Sequence, residues 1–333
     1  MNLKNIFSGK SKFEGVDPND EHRDFKLMES VFVDAFEEQK KARRWGIAFK
    51  SLTFAYLFVV LILFYAGTKS VGGKGPGKPH TAMIEVSGVI ASDKPAVAWK
   101  INAGLKAAFE NEEAKAIILA INSPGGSPVQ AGEVYDEILR LKGEYPEKKV
   151  YAVIGELGAS GAYYIAAAAD EIYANRSSLV GSIGVTAAGF GFVDTIEKLG
   201  VERRKFTSGE HKGFLDPFSP LREDEVTFWQ TVLGSTHQQF IDAVKQGRGD
   251  RLEMTEEITS GLIWNGEQAK DLGLVDGLAS VKKVARDIVG EEKLVDYTRR
   301  EPPLKELLGS FGVSVGQGIF KSLKAEESYP DIR

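Results

Sequence analysis

The sequence predicts an α/β domain built on a parallel sheet, preceded by one N-terminal transmembrane helix. Strongly apolar runs that fit strands buried on both faces alternate with segments of helical apolar spacing. Glycine-rich turns directly follow two of these runs. An uncharged, apolar stretch over residues 51–68 is long enough, with one flanking turn, to cross a bilayer core.

The order of the elements favours parallel strands joined by right-handed crossover helices. The run KAIILAI is continuously apolar, as a strand covered on both faces requires. Three segments are predicted as strands and three as helices. The strands are 82–90, 115–121 and 148–155, and the helices are 95–111, 128–141 and 222–247.

Composition excludes several classes of protein. The net charge of −5 provides no basic surface, so nucleic acid is not expected as a partner. The chain has no cysteine, which excludes disulfides, thiolate metal sites and a cysteine nucleophile. It has only four histidines, so a histidine-rich metal centre is not expected. We expect neither a metal nor a cofactor.

Basic residues flank the apolar stretch unevenly and predict its orientation. Five precede it and three follow within a short distance, so the N-terminal segment is expected to be cytoplasmic and the domain to lie across the membrane. The bilayer is therefore an expected partner. The predicted organisation is a cytoplasmic segment (1–45), a transmembrane helix (46–68), a flexible linker (69–80), the globular domain (81–298) and a C-terminal tail (299–333).

Ser160 is the candidate nucleophile. It lies in GELGASGAYYIA, where a loop after a buried strand turns into an alanine-rich helix. Its small neighbours permit the close approach of a substrate carbonyl. The N–H of Gly161, at the start of this helix, is a natural donor to a developing oxyanion. The alternative is a serine that simply caps the helix.

A second glycine-rich loop, INSPGGS at 121–127, also follows a buried strand. Its two glycines permit positive φ and expose backbone N–H groups. We expect Gly126 or Gly125 to supply a second oxyanion donor. The alternative is an ordinary turn before the helix that begins near Pro128.

These motifs carry a family resemblance. INSPGGS, then GxxxASGxYYIA about 30 residues later, then VGSIGV, resemble the S49 serine peptidases, and among them the short form of signal peptide peptidase A. The similarity covers roughly residues 80–290. It implies a ClpP/crotonase-like fold of stacked β-β-α units.

The resemblance also implies an activity and roles for residues. It implies a membrane-anchored serine endopeptidase with Ser160 as nucleophile, Lys212 as general base, and Ser182 of the GSIGV segment hydrogen-bonded to the lysine amine. The implied substrates are remnant signal peptides and similar extended apolar peptides. The implied setting is the bacterial inner membrane, and the implied assembly is a homo-octamer in which neighbouring chains share each site.

A lysine base has a physical requirement. A free lysine has a pKa of about 10.4, so lysine accepts a proton near neutral pH only where burial disfavours its charged form. Phe214 and Phe218 are candidates for the apolar surface near Lys212. His211 is the local rival, because Ser–His pairs are common, yet no orienting acid stands in a known triad order.

Two other function classes remain open at this stage. A crotonase-type acyl-CoA enzyme uses the same fold and paired backbone N–H groups, but the membrane helix and the ASG serine argue against it. A catalytically inactive membrane scaffold is the non-enzymatic alternative, and the intact Ser160–Lys212 pair argues against that one.

Overall fold

A computed structural model of the chain describes residues 23–70 and 77–300. The described residues divide into two units, helix α1 (Arg23–Ser70) and a domain that begins at residue 77. The predicted C-terminal tail beyond residue 300, the first 22 residues and much of the predicted linker lie outside the described residues.

Helix α1 contains one stretch, Ala35–Ile62, that is long and apolar enough to cross a membrane, with a mean hydropathy of 1.8. None of its most apolar window is buried against protein. Residues 23–45 of the predicted cytoplasmic segment and the predicted span, 46–68, form one continuous helix, because no proline interrupts them.

The domain alternates strands and helices along the chain. Its elements are β1 (His80–Ser87), α2 (Ala98–Phe109), β2 (Ala114–Ser123), α3 (Pro128–Glu144), β3 (Val150–Ala159), α4 (Gly161–Ala167), β4 (Glu171–Ala174), β5 (Leu179–Gly181), α5 (Val193–Lys198), α6 (Glu223–Arg248), a 3₁₀ turn (Gly249–Arg251), β6 (Ile263–Asn265), α7 (Gly266–Asp271), β7 (Gly277–Leu278), α8 (Val281–Lys283), a π-helical turn (Val284–Val289) and β8 (Leu294–Asp296).

The strands form one sheet with the order β6-β5-β3-β2-β1-β8, while β4 pairs with β3 and β7 pairs with β4. Every pairing is parallel except β5 with β6. The predicted α/β class is confirmed. The six predicted elements are present, with ends that differ by a few residues from the predicted ones.

Strand β2 shows why its sequence is continuously apolar. Ile117, Leu119 and Ile121 pack into the larger core with α2, α3 and α4, whereas Ile118 faces a smaller cluster with residues of the π-helical turn. All four side chains are at most 1% exposed. Since both faces of the strand are covered, alternation with polar residues would bury unpaired polar groups.

Strand β3 pairs with two different strands along its length. Its first half, Tyr151–Ile154, pairs with β4, and its last residues, 157–159, pair with β5. Because β1, β2 and β3 are parallel, their carboxyl ends lie at one edge of the sheet, where Ser123 stands opposite Gly158. The two predicted glycine-rich loops therefore meet at this edge.

A buried ion pair fastens the end of α6 to the sheet. The Arg248 guanidinium donates to both carboxylate oxygens of Asp276 at 2.7 and 3.0 Å, and the Ile172 N–H donates to the same carboxylate. The Arg248 side chain is 1% exposed. Burial alone would raise the pKa of Asp276, but the hydrogen bonds from Arg248 and Ile172 outweigh it and hold that pKa below its ordinary value.

Candidate active site

Ser160 lies between β3 and α4 in a backbone conformation that side-chain-bearing residues rarely adopt. Its φ is 53° and its ψ is −126°. Its N–H donates to the carbonyl of Gly181 at 2.9 Å, which fixes the turn. Ser160 is the N-cap residue of α4, but its hydroxyl makes no capping hydrogen bond. This strained conformation holds the hydroxyl at the sheet edge, as in known enzymes whose nucleophile lies at a strand-to-helix turn.

The loop after β2 packs directly against this turn. Gly125 has a φ of 92°, and a Cβ there would lie 2.6 Å from the Gly161 nitrogen. Gly126 has a φ of 151°, and a Cβ there would overlap the carbonyl oxygen of Ile90. Both positions therefore require glycine, for conformation and for space. The buried Ser123 hydroxyl accepts a hydrogen bond from the Gly125 N–H at 3.1 Å and holds the loop.

The packing leaves two neighbouring N–H groups unused. A Cβ on Gly161 would lie 3.3 Å from the Gly126 nitrogen, so the two glycines are in close contact. Neither the Gly126 nor the Gly161 N–H donates a hydrogen bond to any residue that the structure describes. Gly125 is the less suitable donor, since its N–H is bonded to Ser123. Paired free N–H groups beside a serine hydroxyl have the character of an oxyanion hole.

A cavity of about 840 Å³ opens in front of these groups. Gly126, Ser160, Gly161 and Ser182 all line it. Ser182 also has a positive φ, of 54°, and its N–H donates to the Leu262 carbonyl at 2.7 Å. Four of the five predicted site residues are thus brought together by one chain.

The fifth, Lys212, is not among the described residues that line the cavity. It is exposed, in a turn that follows β5 and precedes α6, and its side chain makes no hydrogen bond or ion pair with the described residues. The Ser182–lysine hydrogen bond that the resemblance implies is therefore absent from the described part of a single chain. His211 is exposed in the same turn and also lies outside the cavity.

The turn around Lys212 is held by its neighbours. Asp216 accepts hydrogen bonds from the Phe218 N–H and the Ser219 hydroxyl, and it pairs with Lys205 at 3.3 Å. The Phe218 N–H and then Lys205 keep the pKa of Asp216 below its ordinary value. This carboxylate is therefore engaged elsewhere and does not hold Lys212.

The aromatic residues near Lys212 pack within the same region. Phe214 makes edge contacts with Phe228 and Trp229, at centroid distances of 5.9 and 5.8 Å. Phe218 stacks on Phe192 at 5.5 Å. The turn is consequently a defined structure that presents Lys212 outward.

A set of large apolar side chains is exposed around this turn. Phe206 is 93% exposed and Phe190 is 83% exposed. Helix α5 buries none of its residues. The others of the set are Phe192, Leu199, Val201, Phe218, Leu221 and Phe228. Phe190, Phe192 and Phe218 are in contact, with ring centroids 6.2 and 5.5 Å apart, and exposed apolar clusters of this kind mark interaction surfaces.

Several residues of the site were not predicted from the sequence. Ile90 braces Gly126 through an isolated bridge, and its N–H donates to the Gly125 carbonyl at 2.9 Å. Gly132 and Tyr164 line the cavity on the side of α3 and α4. A signal for Gly132 was present, since glycine is unfavourable inside a predicted helix.

Comparison with known proteins identifies related peptidases. The model of peptidase family S49 matches residues 144–294. A putative protease of Synechocystis is 36% identical over 201 residues, which cover 60% of this chain and 69% of that protein. A putative signal peptide peptidase SppA of Enterococcus faecium is 32% identical over 194 residues, 58% of this chain and 56% of that protein.

A third relative carries a different name. A Brucella abortus protein named as the Na⁺/H⁺ antiporter NhaA is 42% identical over 217 residues, 65% of this chain but 29% of that protein. The chain thus spans less than a third of the Brucella protein and about half of the Enterococcus one. The match to the family model together with the coverage of the Synechocystis protein shows that the chain belongs to peptidase family S49.

Proposed function

We propose that this chain is a membrane-anchored serine peptidase in which Ser160 is the nucleophile and Lys212 of a second copy is the general base. The observation that carries the proposal is the conformation of Ser160. The hydroxyl of this strained serine makes no capping hydrogen bond, and it lies beside two N–H groups that donate to no described residue. Those features serve acyl transfer.

The proposed reaction proceeds through an acyl-enzyme. The Ser160 oxygen attacks the carbonyl carbon of a peptide bond while its proton passes to a neutral lysine amine. The N–H groups of Gly161 and Gly126 donate to the oxyanion. The lysine then gives the proton to the departing amine. Water, deprotonated by the same lysine, attacks the acyl carbon, the bond to the Ser160 oxygen breaks, and the lysine returns the proton to that oxygen. Ser182 is proposed to orient that amine.

The position of Lys212 supports a site shared between copies. The lysine is exposed and lies outside the cavity of its own chain, within a stretch, residues 190–228, that exposes several large apolar side chains. A second copy packed on that surface would cover apolar area and remove Lys212 from water. Burial of this kind is what a lysine base requires. Cyclic assembly repeats one such contact around a closed ring, and the resemblance implies eight copies.

The proposed substrates are extended peptides bound through main-chain hydrogen bonds, among them remnant signal peptides. The name of the Enterococcus relative supports this choice. Helix α1 supports an anchor in the bacterial inner membrane, with the N-terminus cytoplasmic and the domain on the outer side.

The experiment that tests the proposal labels the protein with a fluorophosphonate and measures hydrolysis of a quenched peptide. The full-length chain should be labelled and active. Ser160→Ala should abolish both signals, Lys212→Ala should abolish hydrolysis, and His211→Ala should retain most activity. An unlabelled wild-type chain would instead favour an inactive scaffold or an acyl-CoA enzyme. A His211→Ala variant as inactive as Ser160→Ala would make His211 the base.

A further inference from the structure

Gly132 is a helix-interior glycine for which the fold provides no reason. It lies in the second turn of α3, where glycine costs about 0.5–1 kcal/mol relative to alanine. Its φ is not in the left-handed region. A Cβ at this position would meet only the edge of the Tyr164 ring, at an ordinary contact distance of 3.9 Å. Neither backbone conformation nor packing requires glycine here.

Gly132 does face the cavity that contains Ser160. One face of α3 forms a wall of this cavity, through positions separated by three or four residues. With a rise of about 1.5 Å per residue, that face extends about 12 Å from Pro128 to Asp136. The missing side chain of Gly132 thus leaves room midway along a groove that leads away from the nucleophile.

The chemistry of the groove changes along its length. Next to Gly132 it is lined by Val129 and by the ring of Tyr164, which packs on Phe240 at 5.0 Å. Farther along, Glu133 and Asp136 line it, and both carboxylates are exposed without an ion pair to any described residue. Burial raises the pKa of Tyr164, and the charge of Asp136, which lines the same cavity, raises it further.

We propose that Gly132 is a specificity-determining residue that opens a subsite for a long basic side chain of the substrate, arginine or lysine. The aliphatic stem of such a side chain would lie on Val129 and Tyr164, where Gly132 leaves space. Its positive charge would reach Glu133 and Asp136. The proposal rests on the proposed function, because it places a substrate residue in the groove beside Ser160.

Peptide binding to the full-length chain tests the subsite without requiring catalysis. Fluorescent peptides with one guest residue in an otherwise alanine sequence are titrated against protein carrying Ser160→Ala, and anisotropy gives Kd. The guest is arginine, the uncharged norleucine, or alanine. We expect arginine to bind about fivefold more tightly than norleucine. Adding Gly132→Leu should weaken arginine and norleucine binding about tenfold and leave the alanine peptide within twofold.

Gly143 provides the matched control. It lies in the same helix, it is exposed, and a Cβ there would meet nothing. Gly143→Leu should therefore leave all three affinities unchanged. If Gly132→Leu does not fold, Gly132→Ala is used instead. It should weaken the binding of the arginine and norleucine peptides by less than tenfold, and it should again leave the binding of the alanine peptide within twofold. Glu133→Gln combined with Asp136→Asn should remove the preference for arginine over norleucine and retain norleucine binding.

The subsite proposal is wrong if Gly132→Leu reduces the affinity of all three peptides equally. It is also wrong if protein with wild-type Gly132 binds the alanine and norleucine peptides with equal affinity. Equal binding of arginine and norleucine would overturn its charge preference. The peptidase proposal fails separately. If protein with an intact Ser160 binds the peptides in the expected order but does not cleave them, the proposed reaction is wrong and the subsite proposal is unaffected.

Discussion

Replacement of Ser160 by glycine tests whether the backbone strain at this position is real. A residue with a Cβ held at φ 53° and ψ −126° costs about 1–3 kcal/mol. Glycine removes that cost, whereas alanine retains it. The two variants are otherwise matched, because the hydroxyl makes no capping hydrogen bond that either would lose. Both should be inactive, so any difference between them concerns stability alone.

The expected difference follows from two opposing terms. Relief of strain favours Ser160→Gly by about 1–3 kcal/mol. The larger backbone entropy of glycine in the unfolded chain costs about 0.5–1 kcal/mol relative to alanine. Taken at their midpoints, these terms make Ser160→Gly more stable than Ser160→Ala by about 1 kcal/mol.

Urea unfolding of the full-length protein in detergent, followed by tryptophan fluorescence, measures this difference. Ser177 supplies the control pair, since it is exposed and has no positive φ. There the glycine variant should be the less stable one. If Ser160→Gly is equal to or less stable than Ser160→Ala, the strain argument is wrong, and with it the reason for treating Ser160 as specially presented.

Three further predictions concern the core, the oxyanion donors and the membrane topology. Asp276→Asn leaves Arg248 buried without its anion and should reduce the free energy of unfolding by about 3–5 kcal/mol in urea titrations. Because the folded pKa of Asp276 is lowered, its contribution is present above about pH 4 and is lost as pH falls further, so wild-type stability should drop in acid more steeply than that of Asp276→Asn. Gly126→Ala displaces the loop against Ile90 and should reduce kcat by about 10²–10³-fold. In the Ser160→Ala background, the same substitution should change the Kd of a fluorescent substrate peptide by no more than about threefold. A kcat near the wild-type value would refute the assignment of the donor. A protease added outside intact cells should digest residues beyond about 80 and spare the first 45 or so, and digestion of the N-terminal segment alone would reverse the orientation.

The central sheet was predictable because its sequence signals are local. Ile117–Ile121 are apolar without alternation, and only a strand covered on both faces accommodates such a run. The sequence also showed that each glycine-rich loop follows a buried strand, and in the structure the two loops lie at one sheet edge because parallel strands align their carboxyl ends. Gly126 and Gly161 therefore lie beside Ser160 as expected from their positions after β2 and β3.

Other features depend on contacts between distant parts of the chain. No local pattern predicts that β3 pairs with β4 over its first half and with β5 over its end. The roles of Ile90 and Gly132 depend on which surfaces α3 and the loop after β1 present to the site. Lys212 was identified from spacing and resemblance, and the described fold of one chain does not bring it to Ser160. Its partner serine is proposed to lie on another chain, which the sequence of one chain does not specify.

Subunit mixing tests the central claim, a Ser160–Lys212 site shared between copies, most directly. Full-length Ser160→Ala and Lys212→Ala proteins, each inactive alone, are mixed in detergent, and subunit exchange is confirmed with fluorescent labels. Where an intact Ser160 meets an intact Lys212 of a neighbour, a complete site forms, so peptide hydrolysis should return to about a quarter of the wild-type value for equal, random mixing. Hydrolysis that stays at background after confirmed exchange would contradict the shared site, because a serine and lysine required from one chain cannot be restored by any mixture of these two variants.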